Sequence, residues 1–349
     1  MKIHILFKFQ NGPWGGGNQF LKALREKFIE FNVYTNSLED ADIILFNSYP
    51  FRAEYLFKQI YQLKRKYPKK IIIYRVDGPI SLIRDRDVLI DRIIYLFNYI
   101  FSDGIIFQSQ WSSNKNKQLF NIHSKNKTII PNAPNNLIFN TSDKTELNRS
   151  KKINLIATSW SANINKGFDT YKYLDENLDF KKYNFTFIGN SPIKFKNIKY
   201  IKPLSSQKLA RKLKKSDIFI TASKNDPCSN SLIEALSCGL PAVVLNDGGH
   251  PELIKKGGEI FNTPKEAIEK INLVVKNYFD YKKRLPKYNI ALISKSYLKF
   301  IRNIHINKKY FPKEITPSKK ILFIYMNMLI LRHKIQTALI TITNIIWKK

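Results

Sequence analysis

The chain has 349 residues, 44% of them hydrophobic, which suffices for two domains that each bury a core without disulfide or metal staples. Lys and Arg number 59 against 27 Asp and Glu, a formal net charge of +32, and aromatics make up 13%. Collagen-like, disulfide-scaffold and wholly disordered chains are excluded, and the charge points to an anionic partner.

Lys far outnumbers Arg, and Ile and Asn are abundant, as drift in an AT-rich genome produces. Drift does not account for so few acids, so a phosphorylated substrate or an anionic membrane stands beside it as the second reading. No recognition helix or aromatic RNA-binding signature is present, and no nucleic-acid partner is expected. Cys228 and Cys238 are too few for a disulfide framework or a zinc site and suggest a reducing compartment. Met1 to Gln10 reads as a strand and not as a secretory leader, so a cytoplasmic protein is expected.

Short apolar runs alternate with helical segments. In chain order they are Ile3 to Phe9, Ile43 to Phe46, Ile71 to Tyr74, Ile105 to Phe107, Ile153 to Ala157, Phe185 to Ile188, Ile218 to Thr221 and Ala242 to Leu245. This is the alternation of parallel sheets covered on both faces. Pro131 to Arg149, rich in Asn, Ser, Pro and charge, separates the two sets. The fold class is therefore α/β, with two doubly wound parallel-sheet, Rossmann-like domains facing a cleft. Residues 1–140 form the first, 141–150 the linker and 151–285 the second; 286–349 form closing helices that return to the first domain or meet a membrane surface.

Such sheets bind ligands beyond the carboxyl ends of their strands. The loop from Asn11 to Asn18 carries Gly15, Gly16 and Gly17 before a helix expected over Phe20 to Phe31, where bare backbone N–H groups suit a phosphate. A flexible turn is the plainer reading. Ser159 to Phe168 follows the fifth run and holds Trp160, Ser161, Asn163 and Lys166, the lysine within reach of a phosphate. In Asp226-Pro227-Cys228-Ser229-Asn230-Ser231-Leu232-Ile233-Glu234, a loop aspartate and a helical glutamate flank one ligand, and carboxylates suit sugar hydroxyls. Gly248, Gly249 and His250 open another helix after the eighth run.

In this order the motifs resemble the family-four retaining glycosyltransferases of the GT-B fold, over nearly the whole chain. The likeness is most specific from Ser223 to Leu253, and Ile130-Pro131-Asn132-Ala133 is similar to that family's Ile-Pro-Asn-Gly element. The resemblance implies a retaining, hexosyltransferase-like enzyme of surface polysaccharide or glycolipid biosynthesis. It would use a nucleoside diphosphate sugar donor and a glycan or lipid-linked acceptor, with no cofactor and no essential metal.

By position, Lys166 would meet the donor diphosphate, Glu234 the ribose and Asp226 the sugar. Gly16 and Gly17 would face the diphosphate from the other domain, and Gly249 and His250 would lie beside the sugar. Ser161, Asn163, Ser229, Asn230 and Ser231 complete the expected donor set. Ser161 stands where the family has Arg, removing a bidentate phosphate clamp. That leaves a catalytically weak or inactive sugar-binding or scaffold subunit of the same fold as the alternative.

On the acceptor side, Asn47 to Pro50 and Arg75 to Pro79 follow strands, and Asp77 is the candidate for orienting or deprotonating an acceptor hydroxyl, against a plain Asp-Gly turn. Ser109 and Trp111 are weaker candidates for sugar stacking. From Ile315 to Lys349 there is no acid, and Ile324, Met328, Leu331, Ile335, Ala338, Ile342 and Ile345 form one apolar stripe on a long helix ending at Trp347, Lys348 and Lys349. Arg332, His333 and Lys334 argue against a spanning segment. The stripe packs on the protein's own domains or lies on an anionic membrane as a peripheral contact.

Overall fold

The computed structural model describes residues 1–12, 15–47, 53–85, 87–308 and 312–346, the side chains of 308 and 340–346 excepted. Ser48, Tyr49, Pro50, Trp347, Lys348 and Lys349 lie outside the described residues, as do the side chains of Ile342 and Ile345.

The first sheet has five parallel strands in spatial order β1 (Ile3–Leu6), β2 (Ile43–Phe46), β3 (Ile71–Val76), β4 (Gly104–Phe107) and β5 (Lys127–Ile129). The interior strands β2, β3 and β4 are buried throughout, which explains their nearly unbroken Ile, Leu and Phe. A single parallel bridge from Ile3 to Tyr34 continues the sheet beyond β1. The chain therefore leaves β1 in one direction and crosses back to β2 in the other, making β1 the point where strand order reverses. The first crossover helix, α1 (Gly16–Glu30), covers one face. On the other face lie α2 (Tyr55–Lys66) and α4 (Val88–Phe101), which follows the short α3 (Ile80–Arg84), while α5 (Gln110–Phe120) follows β4.

The second sheet runs β11 (Gly258–Phe261), β10 (Ala242–Leu245), β9 (Ile218–Thr221), β6 (Ile153–Ser159), β7 (Tyr183–Gly189) and β8 (Lys199–Ile201), all parallel. Its order reverses between β6 and β9. Around it lie α6 (Phe168–Asn177), α7 (Ser206–Lys214), α8 (Asn230–Ser237), α9 (His250–Ile254), α10 (Pro264–Lys276) and α11 (Tyr278–Lys283). Two last helices, α12 (Ile290–Lys308) and α13 (Pro317–Ile346), pack on the amino-terminal half, α12 against α1 and α13 against α4.

Three strands had no counterpart among the apolar runs: β5, β8 and β11. All are sheet edges, where one side of the strand meets solvent and polar residues such as Lys127 and Lys199 are accommodated. The glycines also sit differently from expectation. Gly16 and Gly17 form the first turn of α1, because the side-chain amide of Asn18 is anchored to the main chain of Gln10 at 2.9 and 3.0 Å and draws the helix start forward.

The tail helix differs most. α13 docks through Phe323, Met326, Leu329, Ile330 and His333, with Phe323 stacked on Tyr61 at 4.0 Å. The stripe read from the sequence points the other way: Ile324, Met328, Leu331 and Ile335 are each more than half exposed, and Ala338 is exposed. α13 thus carries two apolar faces, and one of them is uncovered.

Candidate functional site

Both points of strand reversal open toward the same cleft. At the second, the turn from β6 to α6 is held internally. Ser161 Oγ accepts the Asn163 N–H at 3.1 Å, Asn163 Oδ1 accepts the Asn165 N–H at 2.8 Å, and a short 3₁₀ turn over Ile164–Lys166 delivers the lysine. Gly167 follows with φ +79°, and a Cβ there would meet the Ala222 carbonyl oxygen at 2.1 Å, so no other residue fits this approach of the two post-strand loops.

Lys166 Nζ lies 3.0 Å from Asp226 Oδ2, and both side chains are mostly buried. Burial alone would raise the Asp226 carboxyl, but Lys166 and His250 beside it hold it below its ordinary value. Asp226 Oδ1 accepts the Cys228 N–H at 3.2 Å, and its backbone carbonyl accepts Gly249 N–H at 2.8 Å. Gly248, at φ +62°, makes that close approach possible. His250 is fully buried, with Nδ1 3.3 Å from the Leu245 carbonyl oxygen, so Nδ1 carries the proton there; burial lowers its pKa and favours the neutral ring. Its Nε2 is buried and has no hydrogen-bond partner among the described residues.

Glu234 lines a cavity of about 150 Å³ between α1 and α8, together with Gly16, Phe20, Ala133 and Asn230. Desolvation pushes its carboxyl up to about 8, and among the described residues no hydrogen bond reaches it. Ser229 is buried and its Oγ caps α8, accepting the Leu232 N–H at 3.4 Å and lying 3.1 Å from Ser231 Oγ. Both hydroxyls are therefore engaged at the helix start.

The amino-terminal half contributes less exposed chemistry. Gly16 abuts Asn230, where a Cβ would fall 2.4 Å from the asparagine Cβ, whereas a Cβ on Gly17 would meet only open space. Asp77 Oδ1 accepts from Arg75 Nη1 at 3.0 Å and also from Gln108 Nε2. Arg75 itself is buried and donates to Asn47 Oδ1 at 2.8 Å and Asn132 Oδ1 at 2.6 Å, with Phe20 beneath its guanidinium. Asn132 then donates to Asn230 Oδ1 at 3.1 Å, so one polar chain runs from Asp77 to the start of α8 in the other half. Ser109 caps α5, its Oγ accepting the Ser112 N–H at 3.0 Å, and the half-buried Trp111 packs beside Gly78.

Residues 172–291 match the family model described as Glycosyl transferases group 1. The match covers about a third of the chain and is a likeness of that stretch to the group. The matched stretch contains Asp226, Glu234, Gly249 and His250, and stops short of Lys166 and of the first sheet. Spore coat protein SA of Bacillus subtilis (strain 168) is 34% identical over 98 residues, 26% of this chain and 25% of that protein, so the match spans only a quarter of the relative.

Among solved structures, sucrose-phosphate synthase from Thermosynechococcus elongatus superimposes with a TM-score of 0.67 at 12% identity, over 88% of this chain and 100% of that one. Anabaena Alr3699/HepE in complex with UDP-glucose gives 0.63 at 14% identity, over 88% and 99%. At such identities the likeness is one of fold, and the two facing sheets are the GT-B arrangement.

Four residues around the group 1 loops carry more of the geometry than their sequence context suggested. Arg75, Gln108 and Asn132 form the chain to α8, and Glu252 crosses the cleft to accept the Gln110 and Trp111 N–H groups, both at 2.7 Å, at the N-terminus of α5. Arg75 left a trace in the sequence as a charge inside the fully buried run of β3, Asn132 as part of the Ile130-Pro131-Asn132-Ala133 element and Glu252 within the Ser223 to Leu253 stretch, whereas Gln108 left none. Among the described residues no group of three or more His, Cys, Asp or Glu is placed to hold a metal ion.

Proposed function

We propose that the protein moves a sugar from a nucleoside diphosphate donor onto a glycan or lipid-linked acceptor, with retention, in surface polysaccharide or glycolipid synthesis. The observation that carries this reading is the Lys166–Asp226 pair at the reversal point of the second sheet, with backbone amides and the Glu234 cavity beside it. The donor replaces that pair: its diphosphate takes the ammonium and its sugar hydroxyls take the carboxylate. Glu234 receives the ribose hydroxyls, an interaction that repays its desolvation. Gly16 and Gly17 face the diphosphate from α1, whose first-turn N–H groups favour an anion. Gly249 and His250 line the sugar, with Nε2 as an acceptor, and Ser161, Asn163, Ser229, Asn230 and Ser231 shape the walls.

In the transfer, the bond from the anomeric carbon to the diphosphate oxygen breaks, the acceptor hydroxyl oxygen bonds to that carbon, and the hydroxyl proton passes to the leaving diphosphate. Lys166 and the amides stabilise the charge that develops on the leaving diphosphate. Asp77, held by Arg75 and Gln108 through Oδ1, orients the acceptor hydroxyl through Oδ2. No cofactor or essential metal enters this scheme. The protein works in the cytoplasm, peripheral to the inner face of the membrane; no helix among the described residues is long and apolar enough to cross one.

The inactive-subunit reading is kept by one observation: Ser161, where the resemblance expects Arg, has its hydroxyl turned to the Asn163 amide. Thermal stabilisation by a panel of nucleoside diphosphate sugars, with EDTA present, separates the two, because selective binding to the native state raises the melting temperature. A shift with one donor that is lost in Lys166→Ala supports transfer. No shift with any donor overturns it in favour of the scaffold.

A further inference from the structure

We infer that the uncovered face of α13 is a docking surface for an anionic lipid bilayer. At 100° per residue, Ile321, Ile324, Met328, Leu331, Ile335 and Leu339 align on the side opposite Phe323, Met326 and Ile330, and each is more than half exposed. The row extends about 27 Å at the helical rise. A continuous apolar row of this length on a soluble surface marks an interaction site.

Charge selects the occupant. Residues 315–349 contain no Asp or Glu, and the exposed Lys320 and Arg332 fall on the two flanks of the row. Apolar side chains flanked by cations suit the boundary between acyl chains and anionic headgroups, where long basic side chains reach outward to phosphates. A second copy of the helix is a poor partner, since either orientation sets cations against cations with no acid to pair them. Among the described residues no helix, α13 included, is long and apolar enough to cross a membrane.

The buried face fixes the geometry. Because α13 packs on α4 and stacks Phe323 on Tyr61 of α2, the bilayer holds the amino-terminal half, and the carboxyl-terminal half hangs from it through the cleft contacts. This deepens the reading above, in which the acceptor is lipid-linked and approaches the amino-terminal side.

The test is co-sedimentation of the full chain with vesicles of phosphatidylcholine alone and of phosphatidylcholine mixed with phosphatidylglycerol. The expected result is binding to the mixed vesicles only, weakened about tenfold or more by Met328→Ser with Leu331→Ser, and by raised salt. Leu292→Ser with Ile306→Ser, exposed apolar positions on α12, serves as control and leaves binding unchanged. Equal binding to both vesicle types, undiminished binding of the α13 variant, or a dimer in solution dissolved by the same two substitutions would each overturn the proposal. Donor-induced thermal stabilisation, measured on the same variants, is expected to survive in both. Its absence from the wild type counts against transfer and leaves the vesicle result standing.

Discussion

The two halves place their ionisable groups in opposite ways. In the carboxyl-terminal half, Lys166 and Asp226 pair at a cleft-facing loop and Glu234 faces a cavity with its carboxyl unmet. In the amino-terminal half, Arg75 is sealed beneath the loops, its two terminal nitrogens bonded to Asn47, Asp77 and Asn132, while its buried Nε has no hydrogen-bond partner among the described residues. One half leaves its charges at the cleft, paired with each other or facing a cavity; the other uses its charge to fix loop geometry.

The sharpest test of that contrast is Arg75→Met. Removing one partner from a buried charged network costs about 3 to 5 kcal/mol, to be read by urea denaturation. A loss below about 1 kcal/mol, the range of exposed ion pairs, would place Arg75 with the exchangeable charges.

Glu234 gives the next largest effect, through pH. Its carboxyl lies at about 8 in the fold against an ordinary 4.5, so between those values the folded state holds the proton more tightly than the unfolded chain. Stability contributed by the protonated group is present below about pH 4.5 and is lost as pH rises towards 8. Glu234→Gln removes this slope, so the variant's melting temperature gains on the wild type across that window while donor-induced stabilisation weakens. A parallel pH profile for the two proteins would show that Glu234 is not desolvated.

Restoring the absent guanidinium sharpens the donor side. Ser161→Arg is expected to tighten nucleoside diphosphate sugar binding about tenfold, near 1.4 kcal/mol, measured by calorimetry. Unchanged affinity would mean that residue 161 stands away from the diphosphate. The smallest effect falls on the contact between halves: Glu252→Ala removes a carboxylate from the N-terminus of α5 and should cost about 1 kcal/mol. Small-angle scattering is expected to show a larger radius of gyration for that variant, and an unchanged radius would assign closure to the other cleft contacts.

Interior strands and the loops that follow them were legible because their chemistry is local. β2, β9 and β10 are continuous apolar runs, and Lys166, Asp226 and Glu234 stand at fixed distances from strands and glycines that a reader of the sequence can count. Edge strands were hidden by the polar residues that solvent permits them. The start of α1 was hidden by glycines, whose low helix propensity was outweighed by the Asn18 anchor. Glu252 and Asn132 act on residues about 140 and 98 positions away, and no local pattern records such a pairing. On α13, periodicity located an apolar stripe but was silent on which side would be covered, since the hidden side is chosen by α4.

Under the proposed function, the Lys166–Asp226 pair also sets a condition on what enters. A lone anion drawn to the lysine would strand the aspartate, leaving a largely buried negative charge without its counterion. A neutral sugar bound to the aspartate would strand the lysine in the same way. Under the proposed function, a molecule bearing both a negative head and a hydroxylated body compensates each partner at once, so the resting contact would work as a two-key lock that free phosphate and free sugar each fail to turn.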